Sequence, residues 1–101
     1  MEFGPLVIDE DSAEVSMDGA PVDLTPKEYQ LLCLLADNPG TALSREDIRR
    51  ALWKDSKIYS WSRVIDVHVQ HLRQKVEPDP AEPRWIKTIV GRGYRFDPEG
   101  E

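Results

Sequence analysis

Thr25-Pro26-Lys27-Glu28 divides the chain into two kinds of pattern and fixes where one gives way to the other. Thr25 offers the side-chain oxygen of a helix N-cap, Pro26 suits the first helical position because its missing N–H is not needed there, and Glu28 three residues on completes a capping box. Before this point Leu6-Val7-Ile8, Ala13-Glu14-Val15-Ser16 and Val22-Asp23-Leu24 are short, partly alternating segments that read as strands, with Asp18-Gly19 as a hairpin turn. After it Tyr29, Leu31, Leu32, Leu34 and Leu35 make an apolar surface too broad for a lone amphipathic helix, so this helix is expected at the centre of the core. Asp37-Asn38-Pro39-Gly40 ends it.

Ser44 with Asp47 repeats the capping pattern more weakly and opens a second helix through Ile48, Ala51, Leu52 and Trp53, with Arg45, Arg49 and Arg50 on its polar face. Lys54 to Trp61 has no clean period and reads as loop. Ser62 is the expected cap of a third helix running to about Val76, whose core stripe is Ile65, Val69, Leu72 and Val76. The opposite side is left for Arg63, Val67, Gln70, His71 and Gln74. Pro78, Pro80 and Pro83 hold a stiff loop, after which Trp85 to Val90 and Tyr94 to Phe96 read as two strands. Gly91-Arg92-Gly93 joins them, the glycines giving the turn its backbone freedom and placing Arg92 at the tip. Strands, then three helices, then a hairpin, with no internal repeat, make an α+β order.

A length of 101 residues has room for one domain, 1–101, divided into a sheet (1–24), a three-helix core (25–76) and a hairpin (84–97). No apolar run approaches the roughly 20 residues that span a bilayer, and Met1 to Glu10 lacks the basic flank and apolar stretch of a signal peptide, so a cytoplasmic chain is expected. The single cysteine, Cys33, cannot form an intrachain disulfide and reads as core. There is no phosphate-cradling glycine loop, nucleophile elbow or zinc-protease pair, so neither catalysis nor a cofactor is expected. His68 and His71 have a spacing that can share a metal but lack a clear third ligand, and no metal site is expected. His68 is expected to be packed and hydrogen-bonded, and His71 open. Trp53, Trp61 and Trp85 each adjoin an element end and are expected to close the core. Asp66 is expected to favour the helix dipole or to pair with Arg63 or Arg73.

The net charge of −6 weighs against nucleic-acid binding, which is driven by cations that release counterions from phosphate. The charge is unevenly spread, however: residues 1–61 carry 6 basic and 12 acidic side chains, and residues 62–96 carry 7 basic and 4 acidic. A basic late segment on an acidic body can steer one face toward DNA. The second and third helices suit a helix-turn-helix, in which one helix enters the major groove and its predecessor holds it across the backbone. Gln70 or Gln74 can pair with adenine, Val67 can meet a thymine methyl, and Arg63 and His71 on the same face are further candidates for DNA contact. Arg92 on a hairpin tip suits phosphate or the minor groove. Arg73, Lys75 and Arg95 are further candidates for phosphate; Arg45, Arg49 and Arg50 can touch phosphate, but a charge run on a helix is more often simply solvated.

Leu24-Thr25-Pro26-Lys27-Glu28-Tyr29-Gln30-Leu31-Leu32, Pro39-Gly40, Arg63-Val64-Ile65-Asp66-Val67-His68-Val69, Leu72-Arg73-Gln74-Lys75, Ile86-Lys87-Thr88 and Gly91-Arg92-Gly93-Tyr94-Arg95-Phe96 occur in the order that resembles the OmpR/PhoB-type winged-helix family, over nearly the whole chain. The resemblance implies a winged helix-turn-helix with an N-terminal four-stranded antiparallel sheet, three helices and a C-terminal β-hairpin wing. It also implies the output domain of a bacterial two-component response regulator, acting as a sequence-specific transcriptional regulator on directly repeated promoter half-sites of double-stranded DNA, as a dimer there. It implies RNA polymerase contact through the loop from Lys54 to Trp61, and a phosphorylatable receiver domain ahead of the output domain. Family members usually carry basic residues where this chain has Gln70, His71 and Val90. That departure, with the acidic body, supports a second reading: a winged-helix protein-interaction module with weakened DNA binding.

Overall fold

The computed structural model describes residues 1–55 and 63–100. Four antiparallel strands come first, β1 (Glu2–Phe3), β2 (Leu6–Asp9), β3 (Glu14–Met17) and β4 (Ala20–Val22), paired in chain order as a meander. Leu6, Ile8 and Val15 face inward from this sheet and are buried. Asp18 and Gly19 both take positive φ, 51° and 81°, in a two-residue turn that pairs Met17 with Ala20. So short a turn starts β4 at Ala20, two residues before the expected strand, and leaves Asp23 and Leu24 as the lead into the helix. Pro21 lies in β4, an edge strand, where its missing N–H costs no ladder bond. β1 carries too short an alternation to be visible in the residues themselves.

Helix α1 (Pro26–Ala36) is capped as its sequence demands: Glu28 N–H donates to Thr25 Oγ1 at 3.2 Å and Thr25 N–H to Glu28 Oε1 at 2.9 Å. Leu31, Leu32, Leu35 and Ala36 are buried, whereas Cys33 is half-buried at the core edge. Helix α2 (Arg45–Leu52) opens on a second reciprocal box between Ser44 and Asp47, and Ile48 is its buried contact. Helix α3 (Val64–Val76) buries Ile65, Val69, Leu72 and Val76, the stripe set by its sequence. Its N-cap position falls on Arg63, which makes no side-chain capping bond; the expected cap Ser62, together with Trp61 and the rest of 56–62, lies outside the described residues.

Strands β5 (Ile86–Ile89) and β6 (Gly93–Phe96) form the hairpin, and Trp85, Ile86, Tyr94 and Phe96 seal the core from that end. The segment between α1 and α2 runs along β6: Leu43 exchanges two backbone hydrogen bonds with Tyr94, at 2.7 and 2.9 Å, and Gly40 N–H donates to Phe96 O at 2.8 Å. Gly93 is therefore more than a turn residue. A Cβ built there would lie 2.0 Å from the carbonyl oxygen of Leu43, so the close backbone approach, with φ at 146°, excludes any side chain. Among the described residues no helix is long and apolar enough to cross a membrane.

Candidate nucleic-acid interface

α3 presents two unlike faces, and the groups that lock one determine what the other can offer. Its buried stripe fixes its rotation, and polar ties of Arg73, Glu77, Lys75 and Asp66 hold its ends. Arg73, 5 % exposed, donates from Nε and Nη2 to Ile86 O and from Nη2 to Thr88 Oγ1. Glu77, also 5 % exposed, accepts the backbone N–H groups of Arg84, Trp85 and Ile86 at 2.6, 3.1 and 2.8 Å, so one carboxylate organises the entry to β5. Lys75 Nζ lies 2.7 Å from Glu28 Oε1 and ties the end of α3 to the start of α1. At the other end Asp66 accepts from Tyr94 Oη and from Arg45 Nε, the latter at 2.8 Å.

Tyr94 is thereby held between α2 and α3. The guanidinium groups of Arg45 and Arg73 stand 5.3 and 5.5 Å from its ring centroid. Burial, and then the hydrogen bond to Asp66, raise its pKa. Burial alone would pull Arg45 down, but the Asp66 carboxylate outweighs it and leaves the guanidinium raised. Burial is the main cause of a lowered Arg73, only partly offset by Tyr94 and Glu77; arginine nevertheless stays charged. His68 sits on the flank of the locked face, its Nδ1 2.8 Å from Val64 O and its ring edge-on to Trp53 at 5.0 Å.

What these ties leave outward is Arg63, Val67, Gln70, His71 and Gln74, one exposed stripe along the helix, with Val67 46 % exposed despite its apolar side chain. Arg92 is exposed on the hairpin turn, where its N–H donates to Ile89 O at 2.9 Å, beside Val90 at 92 % exposure. The six residues expected to meet DNA bases or the groove are thus all on the surface. The three expected at phosphate are not equivalent to them. Arg73 is buried and fully committed inward, which corrects its expected role. Lys75 is paired with Glu28, and Arg95 with Asp97 at 2.6 Å. Asp66 pairs with neither Arg63 nor Arg73 but with Arg45, and Arg49 and Arg50 both pair with Glu46.

Sequence reasoning overlooked the positioning roles of Tyr94, Arg45, Glu77 and Thr88. A signal existed for Glu77, which follows the apolar stripe directly and precedes three prolines, a place where a carboxylate has little helix left to decorate. None existed for Arg45, whose partner is 21 residues away. The expected polymerase-contacting loop, Lys54 to Trp61, lies mostly outside the described residues, which reach Asp55.

The family model described as "Transcriptional regulatory protein, C terminal" matches residues 19–96. The chain is 45 % identical over 96 residues to the transcriptional regulatory protein AfsQ1 of Streptomyces coelicolor, covering 95 % of this chain and 42 % of that protein. It is 40 % identical over 93 residues to the transcriptional regulatory protein BaeR of Escherichia coli, covering 92 % of this chain and 38 % of that one. The chain spans about two fifths of the length of these curated relatives. Among solved structures it resembles the response regulator DrrB, a Thermotoga maritima OmpR/PhoB homologue (TM-score 0.88, 37 % identity, 96 % of this chain and 43 % of that one). It also resembles the DNA-binding domain of Klebsiella pneumoniae RstA in complex with the RstA box (TM-score 0.87, 31 % identity, 97 % of this chain and 96 % of that one).

Proposed function

Because the chain belongs to the OmpR/PhoB-type family of C-terminal domains of transcriptional regulatory proteins, with the winged-helix fold of that family, we propose that it binds double-stranded DNA with sequence preference and regulates transcription as a response-regulator output domain. The observation that carries this reading is the exposed stripe of Arg63, Val67, Gln70, His71 and Gln74 on a helix whose other face is fixed to the core and to both strands of the hairpin. A helix held so rigidly can enter a major groove without paying for its own ordering, and polar side chains there can meet base edges. The stripe and Arg92 are the proposed contacts. Lys75 and Arg95 reach phosphate only in competition with Glu28 and Asp97, and Arg73 has no place in the set.

The same reading takes residues 1–101 as one domain, cytoplasmic and without catalytic activity, regulated in the whole protein by a phosphorylatable receiver and docking on directly repeated promoter half-sites as a dimer. Contact with RNA polymerase through Lys54 to Trp61 belongs to this proposal too.

A second reading, a winged-helix module for a protein partner, is favoured by one observation: Arg45, Arg49, Arg50, Lys75 and Arg95 all pair with the chain's own carboxylates. Fluorescence anisotropy against random duplex DNA at two salt concentrations separates the two. Binding that falls steeply with salt supports the DNA reading. No binding at low salt overturns it and leaves the protein-partner reading.

A further inference from the structure

The outward face of α3 holds an unusual selection of side chains for reading base pairs. Guanine is read in the major groove mainly by Arg or Lys, and the amino group of cytosine by Asp or Glu. α3 contains both kinds of residue, but the fold withdraws them from its middle. Arg73 is turned onto the hairpin and Lys75 onto Glu28. Asp66 is taken by Arg45 and Tyr94, and Glu77, just past the helix, by three backbone N–H groups. Among the described residues, the cation left on the exposed stripe is Arg63, at the helix start. What remains from Val67 to Gln74 is a valine, two carboxamides and an imidazole. A carboxamide matches the paired donor and acceptor of adenine, and an exposed valine matches the methyl of thymine. His71 can donate to the N7 acceptor that either purine presents, so it does not choose between the two pairs.

We infer that the centre of the site recognised by α3 is a run of A·T base pairs, with a thymine methyl against Val67 and adenine edges against Gln70 and Gln74. This rests on the DNA-binding reading above and names the sequence class which that surface selects. Val67 and Gln74 are separated by about 10 Å along a helix rising about 1.5 Å per residue, and base pairs are stacked about 3.4 Å apart, so the helix face spans about three base-pair steps and the run is about three to four pairs long. Guanine, where it is read at all, is read at one end by Arg63.

The test is selection of duplexes from a random library by the 101-residue chain, followed by titration of the selected site with each thymine replaced in turn by deoxyuridine, which lacks the methyl group. The enriched motif is expected to carry consecutive A·T pairs. One deoxyuridine is expected to weaken binding about fourfold, the effect of one buried methyl. That loss is expected to vanish in Val67→Ala while other positions keep theirs. Gln70→Ala and Gln74→Ala are expected each to relax the A·T preference at one position by about 5- to 150-fold. A motif with G·C pairs at its centre overturns the inference. So does a deoxyuridine penalty that is the same in Val67→Ala, or binding with no enriched motif, both of which leave DNA binding itself intact. An absence of salt-sensitive binding to any duplex overturns the DNA-binding reading and this one with it.

Discussion

Arg73 on α3 donates twice to the carbonyl oxygen of Ile86, from Nε at 3.0 Å and from Nη2 at 2.8 Å, and the same Nη2 reaches Thr88 Oγ1 at 2.7 Å. A cation that sequence alone assigns to phosphate is therefore a clasp between the helix and the first strand of the hairpin. Arg73→Ala removes a charged donor from a buried acceptor, and a loss of about 1 to 3 kcal/mol of stability is expected in urea denaturation. The salt dependence of DNA binding should not change slope. An unchanged stability with a shallower salt slope would instead return Arg73 to the phosphate contacts.

Arg92 provides the opposite case. It is exposed on the hairpin turn and makes only a backbone bond among the described residues. Arg92→Ala should leave stability within about 0.5 kcal/mol of the parent, as surface substitutions do. The slope of log K against log salt should flatten by about 0.9, as it does when one fewer phosphate is neutralised. A slope unchanged on every duplex removes Arg92 from the interface.

The contrast shows what sequence can and cannot reveal. Local rules fixed the three helices: two capping boxes, a period-matched stripe from Ile65 to Val76, and a proline-bounded end were enough. The outward stripe of α3 followed from the same periodicity, since it lies opposite Ile65, Val69, Leu72 and Val76. The partners of charged residues did not follow. Arg73 reaches Thr88 across 15 residues, Lys75 reaches Glu28 across 47, and Asp66 reaches Arg45 and Tyr94 across 21 and 28. Nothing in their own neighbourhoods distinguishes a clasp from a DNA contact. The pairing of Leu43 with Tyr94 was equally hidden, because a single bridge leaves no alternating pattern.

Glu28 joins the capping box of α1 to Lys75 on α3 while being only 3 % exposed. Burial alone would raise its pKa; the hydrogen bonds and charge supplied by Lys75, with those of Thr25, outweigh that and hold the carboxyl below its ordinary value of 4.5. Folding thus favours the ionised form. The stabilisation is present above about pH 4.5 and is lost as the pH falls through the lower folded-state value. Urea denaturation should show Glu28→Gln less stable than the parent at neutral pH, with the difference shrinking as the pH falls below the carboxyl's ordinary value. A constant difference across that range would mean that the carboxylate charge contributes nothing.

Gly91 and Gly93 flank Arg92 and are expected to respond differently to the same substitution. Gly91 has φ at 76° with nothing within 4 Å of a Cβ, so Gly91→Ala meets only backbone strain, of order 1 kcal/mol. Gly93→Ala drives a methyl into the Leu43 carbonyl, and the strand pairing between Leu43 and Tyr94 must open to admit it. A loss above about 3 kcal/mol is expected, since both strain and overpacking act. Thermal unfolding of the two variants side by side decides the matter, and equal losses would show that Gly93 serves the turn rather than the close approach to Leu43.

Val90 stands 92 % exposed beside Gly91 and Arg92, where the family resemblance implies a basic residue. An exposed valine contributes almost nothing to folding, so Val90→Arg should be neutral in stability. If the hairpin lies against DNA, the new cation adds about one phosphate contact, and the salt slope should steepen by about 0.9 with affinity rising on every duplex alike. A gain confined to one sequence would mean that the tip reads bases. No gain at low salt would mean that the hairpin tip is held away from the duplex, which removes the wing from the proposed interface while leaving the stripe of α3 in place.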